Sequence, residues 1–145
     1  MDTEYYITTK SNGERMITTN FDESYHVDGY SESFEKMLFQ TAYNIYERRY
    51  FETGLYFGTN RKTYLETLNR LGVEDLFEKV DQYAKQYEFE KVWFSDKWHY
   101  IGVKENISFI VHIGLAISGY VVGNDKREVD EFGIILNNVL GTNIQ

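Results

Sequence analysis

Strand-like and helix-like segments are segregated along this chain rather than alternating. Two β-branched, aromatic stretches open it, amphipathic patterns fill its middle, and a strand-rich stretch precedes one last amphipathic pattern. Segregation of this kind predicts an α+β fold built on an antiparallel sheet. The expected order is ββ-ααα-ββββ-α, with an N-terminal hairpin, three to four later strands and about four helices. A length of 145 residues suits one domain, 1–145, which would bury roughly two thirds of its unfolded surface. No linker, repeat or low-complexity segment divides it.

The hairpin has the clearest local signal. Tyr5-Tyr6-Ile7-Thr8-Thr9 and Met16-Ile17-Thr18-Thr19-Asn20-Phe21 flank Ser11-Asn12-Gly13-Glu14. Asn-Gly tolerates the positive φ that a tight turn between strands requires. Asp22 to Tyr30 reads as a short edge strand or a loop.

Three helices are expected next. Phe34, Met37, Leu38, Thr41, Ala42 and Ile45 recur at i, i+3, i+4, i+7, i+8 and i+11, one face of a helix. Ser31 or Ser33 caps its start, and Gly54 lies beyond its expected end. Asn60 caps a second helix with a buried stripe of Tyr64, Leu65, Leu68 and Leu71, stopped by Gly72. Glu74 and Asp75 open a third, placed favourably at the positive end of a helix dipole. Its apolar face is Leu76, Phe77, Val80, Tyr83, Ala84 and Tyr87.

Strands are expected at Lys91 to Ser95, at Trp98 to Val103 and once or twice within Ile107 to Val122. Asp96-Lys97, Lys104-Glu105-Asn106 and a glycine near Gly114 separate them. Gly102, Gly114 and Gly119 point to bulges or close backbone approach. Asp125-Lys126-Arg127-Glu128 fits a capping box. Val129, Phe132, Leu136, Val139 and Leu140 make the last helix amphipathic.

Composition excludes several classes. Hydrophobic residues make up 42% and aromatics 17%, too apolar for a disordered chain. Zero Cys removes disulfide scaffolds and thiolate metal sites. The start, Met1-Asp2-Thr3-Glu4, lacks the basic and apolar regions of a signal peptide. Ile107 to Val122 is too short and too polar to span a bilayer. A cytoplasmic location is the expectation. Pro is absent and Ala is found only at positions 42, 84 and 116, while Tyr and Phe are abundant. GC-rich codons are thus avoided, which points to a low-GC bacterial or phage genome.

Charge narrows the partners. The formal net charge is −8, and the field of such a chain repels phosphates, so direct nucleic-acid binding is not expected. An acidic run, Asp22, Glu23, Asp28, Glu32 and Glu35, sits beside Tyr25 and Tyr30, and no Lys or Arg occurs from Met16 to Glu35. Such a surface can dock on a basic protein with fast, salt-sensitive association, as inhibitors of nucleases do. The plainer reading is a solvated edge that discourages sheet-to-sheet aggregation.

Arg48, Arg49, Arg61, Lys62 and Arg70 make the one basic region. Glycines, a helix start and Arg61-Lys62 lie together in Gly54-Leu55-Tyr56-Phe57-Gly58-Thr59-Asn60-Arg61-Lys62-Thr63, a possible anion site. The phosphate-loop spacing G-x-x-x-x-G-K-[ST] is not met. The plainer reading is a set of solvated helix charges.

Trp93, Phe94, Trp98 and Tyr100 fall on an expected hairpin whose alternate residues face opposite sides. One face packs on helices and the other exposes at least one ring, an interface anchor. His26, His99 and His112 are the histidines. No H-E-x-x-H, H-x-H or regularly spaced carboxylate accompanies them, so neither a metal site nor a catalytic constellation is expected. Structural or solvated histidines are the expectation.

Three functions follow, in order. The first is a protein-binding module, an inhibitor of toxin-immunity or anti-defence type, contacting a basic partner through Asp22, Glu23, Asp28 and Glu32 and through Trp93, Trp98 and Tyr100. The second is a small-ligand binder or enzyme at Arg61-Lys62. The third is a phage or bacterial assembly subunit. No cofactor is implied.

Overall fold

The computed structural model describes residues 6–9, 15–18, 31–59, 62, 66, 72–114 and 116–145. Strands β1 (Tyr6–Thr9) and β2 (Arg15–Thr18) pair antiparallel as the expected hairpin, with Ile7 opposite Ile17. Its Asn-Gly turn lies outside the described residues. Then follow α1 (Phe34–Tyr50), β3 (Thr53–Gly58), α2 (Val73–Gln86), β4 (Glu90–Lys91), β5 (His99–Lys104), β6 (Ile107–Ile113), β7 (Ile117–Gly123), α3 (Lys126–Leu140) and β8 (Asn143–Ile144). The last six strands to form one sheet take the order β4-β5-β6-β7-β3-β8, every neighbour antiparallel.

Period-two alternation builds the main core. On β6, Ile107, Phe109, Val111 and Ile113 point to one face, where they meet Leu76, Val80 and Ala84 of α2 and Val129, Phe132, Leu136 and Leu140 of α3. Each fully buried large apolar side chain there contributes about 1.5–3 kcal/mol, so this face supplies most of the hydrophobic stabilisation. Asp125 caps α3, its Oδ1 accepting from the Arg127 N–H at 2.9 Å, and Gly141 ends it in the left-handed region at φ 66°. The opposite face of the sheet carries a smaller cluster of Ile101, Ile110, Tyr120 and Val122, joined by Tyr43 of α1.

Two glycines make room for rings. A Cβ at Gly102 would lie 2.2 Å from the Phe109 ring of its cross-strand partner, and one at Gly119 would lie 2.2 Å from the Ile110 carbonyl and 2.8 Å from the Phe57 ring. The expected close approach at these glycines is therefore present.

The class is mixed α/β with an antiparallel sheet, but the order departs from expectation. Three helices stand among the described residues, not four, and the glycine-bearing segment after α1 is a strand. Leu55 and Phe57 pack into the α2–α3 core while Tyr56 points to the other side. That alternation holds β3 between β7 and β8, which a reading of Gly54 and Gly58 as loop punctuation misses. Of the expected second helix, Lys62 and Glu66 are helical and exposed, and Tyr64, Leu65, Leu68 and Leu71 lie outside the described residues. The expected strand Lys91 to Ser95 shrinks to two residues. Ser95 Oγ then stands in for the backbone, accepting from the Ile101 N–H at 3.0 Å and donating to its carbonyl at 3.3 Å.

The face of α1 is corrected in part. Of the expected apolar face Met37 is buried and Thr41 and Ala42 are half-buried, whereas Phe34, Leu38 and Ile45 are exposed and Gln40 and Tyr43 are buried beside Met37. Polar anchors decide this orientation. Gln40 Nε2 donates to the Phe94 carbonyl at 2.9 Å and to Asp96 at 3.0 Å, Tyr43 Oη meets Ser108 Oγ at 2.5 Å, and Tyr120 Oη donates to Asn44 at 2.8 Å. Once buried, such groups cannot lose these partners without a desolvation penalty of about 1–3 kcal/mol each. No helix among the described residues is long and apolar enough to cross a membrane.

Candidate functional site

The polar groups of the α1 face converge on the turn before β5. Asp96, its side chain fully buried, accepts six hydrogen bonds. Oδ2 takes the Ser31 hydroxyl and the Glu32 N–H, both at 3.1 Å, and the Gln40 amide at 3.0 Å. Oδ1 takes the Trp98 and His99 N–H groups at 2.9 Å and His99 Nδ1 at 3.1 Å. Burial by itself would raise the Asp96 carboxyl. The His99 bond and charge, the Gln40 amide and the Trp98 N–H outweigh it and hold the group below the usual carboxylate range. Asp96 is therefore ionised and acceptor-only, and its bond to Nδ1 sets the orientation of the His99 ring.

His99 sits opposite His112 in the β5–β6 register, and their rings stack with centroids 4.5 Å apart and planes 19° apart. Burial, reinforced by His99 and opposed by Asp96, pushes the His112 imidazole down to about 4. It is neutral at neutral pH. The row continues across the sheet, His112 to Ser118 and Ser118 to Gly58. One row along lie Ile110, Tyr120 and Tyr56. His99, His112, Ser118, Ile110, Tyr120 and Tyr56, with Asn44 and Gln145, line an open cleft of about 230 Å³. Among the described residues no three His, Asp or Glu side chains converge as a metal ion would require.

Sequence reasoning missed Asp96 as the partner of His99, having taken Asp96-Lys97 as punctuation. The available signal was local: an Asp whose side chain accepts N–H groups two and three residues on is a standard turn device.

The other sequence-derived sites fall as follows. Asp22, Glu23 and Asp28 lie outside the described residues, as does Arg61. Glu32 is part-exposed, its carboxylate accepting from the Lys97 N–H at 3.2 Å and pairing with Lys36 at 3.0 Å. Lys62 is exposed on a helical residue. The three aromatics separate. Trp98 and Tyr100 are buried, at 7% and 3% exposure, and Tyr100 Oη donates to Asp81 at 2.6 Å. Trp93 is 56% exposed.

Trp93 does not stand alone. Its ring meets Phe39 of α1 edge-on at 4.8 Å, and Phe39 also packs on Phe94. Phe39, Tyr46 and Tyr50 form one exposed row along α1, and Phe34, Leu38 and Ile45 form a second. The helix is thus inverted, with polar anchors toward the sheet and two apolar rows outward. No protein-family model, curated protein or solved structure matches the chain.

Proposed function

We propose that this chain is a protein-binding module that contacts its partner through the outer face of α1 and Trp93. The observation that carries the reading is the inverted helix, which exposes Phe34, Leu38, Phe39, Ile45, Tyr46 and Tyr50 beside an exposed Trp. Exposed apolar side chains gathered on one element mark interaction sites, and Trp and Tyr are common interface anchors. The net charge of −8 favours a basic partner, which speeds encounter and makes it salt-sensitive. Inhibition of a basic protein, in the manner of an immunity or anti-defence protein, is the activity that suits a small acidic module.

The test is capture with the purified chain at low and high salt, repeated with Leu38→Glu and Trp93→Ala. The reading expects one stoichiometric basic protein that is lost at high salt and lost with either variant. A protein retained equally by both variants refutes the α1 surface. Concentration-dependent self-association abolished by Leu38→Glu would instead assign the face to a second copy of the chain.

A further inference from the structure

The Asp96 carboxylate is divided between two parts of the molecule. Among the described residues, Oδ1 accepts only from its own turn: the Trp98 and His99 N–H groups and His99 Nδ1. Oδ2 accepts only from the α1 side: the Ser31 hydroxyl, the Glu32 N–H and the Gln40 amide. When α1 moves away, Oδ1 keeps its donors and Oδ2 exchanges protein donors for water. The carboxylate therefore stays solvated whether or not α1 is in place.

The other α1 contacts are of the same kind. Lys36 Nζ donates to the Ser95 carbonyl at 3.0 Å, Gln40 Nε2 donates to the Phe94 carbonyl at 2.9 Å, and Asn44 accepts from Tyr120 Oη at 2.8 Å. Met37 and Tyr43 are the only buried apolar side chains of this helix among the described residues. By contrast, α2 seats Leu76, Val80 and Ala84 in the main core, and α3 seats Val129, Phe132, Leu136 and Leu140. The two kinds of contact differ in what detachment costs. A hydrogen bond opened to water is largely replaced by one to water, whereas apolar area exposed to water finds no substitute. The closed state even carries a penalty, because Gln40 Oε1 is buried with no donor among the described residues.

We propose that α1 is a latch that leaves the sheet as one unit while α2, α3 and the six-stranded sheet stay folded, with Asp96 Oδ2 as its catch. Units with few buried apolar contacts open locally at less than the free energy of global unfolding. Phe51 and Glu52, between α1 and β3, form the hinge. Opening withdraws Tyr43 from Ile101, Ile110, Tyr120 and Val122 and breaks the edge-on contact of Phe39 with Trp93. The partner surface is then assembled only when the latch is closed. That consequence rests on the protein-binding reading, whereas the opening itself does not.

The experiment is native-state hydrogen exchange of the isotopically labelled full chain in low urea, with no partner present. The Gln40 to Asn44 amides should exchange as a group, about 10-fold or more faster than those of Val80, Phe132 and Leu136, and with a shallower dependence on urea. Ser31→Ala removes one donor from Oδ2 and should speed the α1 amides about 3–10-fold. Ile113→Val, a mild change in the main core, should speed the Val80, Phe132 and Leu136 amides about 3–10-fold and leave α1 unchanged. The proposal is overturned if α1 and the core share one rate and one urea slope, or if Ile113→Val speeds both alike. An unchanged α1 rate in Ser31→Ala would overturn the role of Asp96 as catch. Failed partner capture with these exchange results intact would refute the protein-binding reading and leave the latch standing.

Discussion

Asp96 and His99 are joined by three hydrogen bonds: the Asp96 N–H donates to the His99 carbonyl at 2.8 Å, and Asp96 Oδ1 accepts from the His99 N–H at 2.9 Å and from Nδ1 at 3.1 Å. The same carboxylate holds Ser31 and Gln40, so this one side chain ties α1 and its N-terminal approach to the sheet. Asp96→Ala leaves several buried donors without an acceptor and should cost about 3–5 kcal/mol in urea unfolding. Asp96→Asn keeps an acceptor oxygen and should cost less. Because the folded carboxyl is held below its unfolded value, its contribution is complete above about pH 4 and declines only as pH falls further. Equal losses for the two variants would show that packing, not hydrogen bonding, is what Asp96 provides.

His112 sets a different pH window. Its folded pKa of about 4 lies below the ordinary 6.5, so between these values the unfolded chain binds the proton that the folded chain refuses. Stability is therefore full above about pH 6.5 and falls as pH drops through 4, by up to about 3 kcal/mol. Urea midpoints from pH 7 to 4 should show this decline in wild type and a shallower one in His112→Gln. Parallel curves would count against a buried neutral imidazole.

The orientation of α1 is testable by stability alone. Met37→Ala removes a buried side chain and should cost about 2–5 kcal/mol. Leu38→Ala and Ile45→Ala, on the exposed rows, should each change stability by no more than about 0.5 kcal/mol. Losses at Leu38 and Ile45 as large as that at Met37 would restore the apolar face that periodicity alone suggests.

Gly119→Ala and Gly102→Ala both overpack the sheet, at a cost of about 1–3 kcal/mol or more. Their rescue should differ. At Gly102 the obstacle is the Phe109 ring, so Phe109→Leu should recover part of the loss in a double-mutant cycle. At Gly119 the Ile110 carbonyl also intrudes, and Phe57→Leu should recover less. Additive losses at Gly102 and Phe109 would mean that the ring is not what the missing side chain accommodates.

Much of the sheet was legible from residues alone, because the information is local. Ile7 and Ile17 pair between strands that lie close together in sequence, Asp125 caps the helix it begins, and β5, β6 and β7 alternate in period two. Acidity and the cluster of aromatics near Trp93 are likewise properties of the sequence.

What tertiary structure decided was where distant polar groups find each other. Periodicity marks Phe34, Leu38 and Ile45 as an apolar face, yet Gln40 and Tyr43 turn the helix by bonding to Asp96, Phe94 and Ser108, each more than fifty positions away. The strand β3 was hidden for a related reason, since Gly54 and Gly58 read as breaks until β7 supplies the ladder. The pairing of His99 with His112 needs the β5–β6 register, and the cleft needs α1, β7 and Gln145 as well. A sequence specifies the alternation of each strand because neighbouring side chains impose it. It does not display burial of a polar side chain, whose cost or gain depends on a partner brought in by the fold.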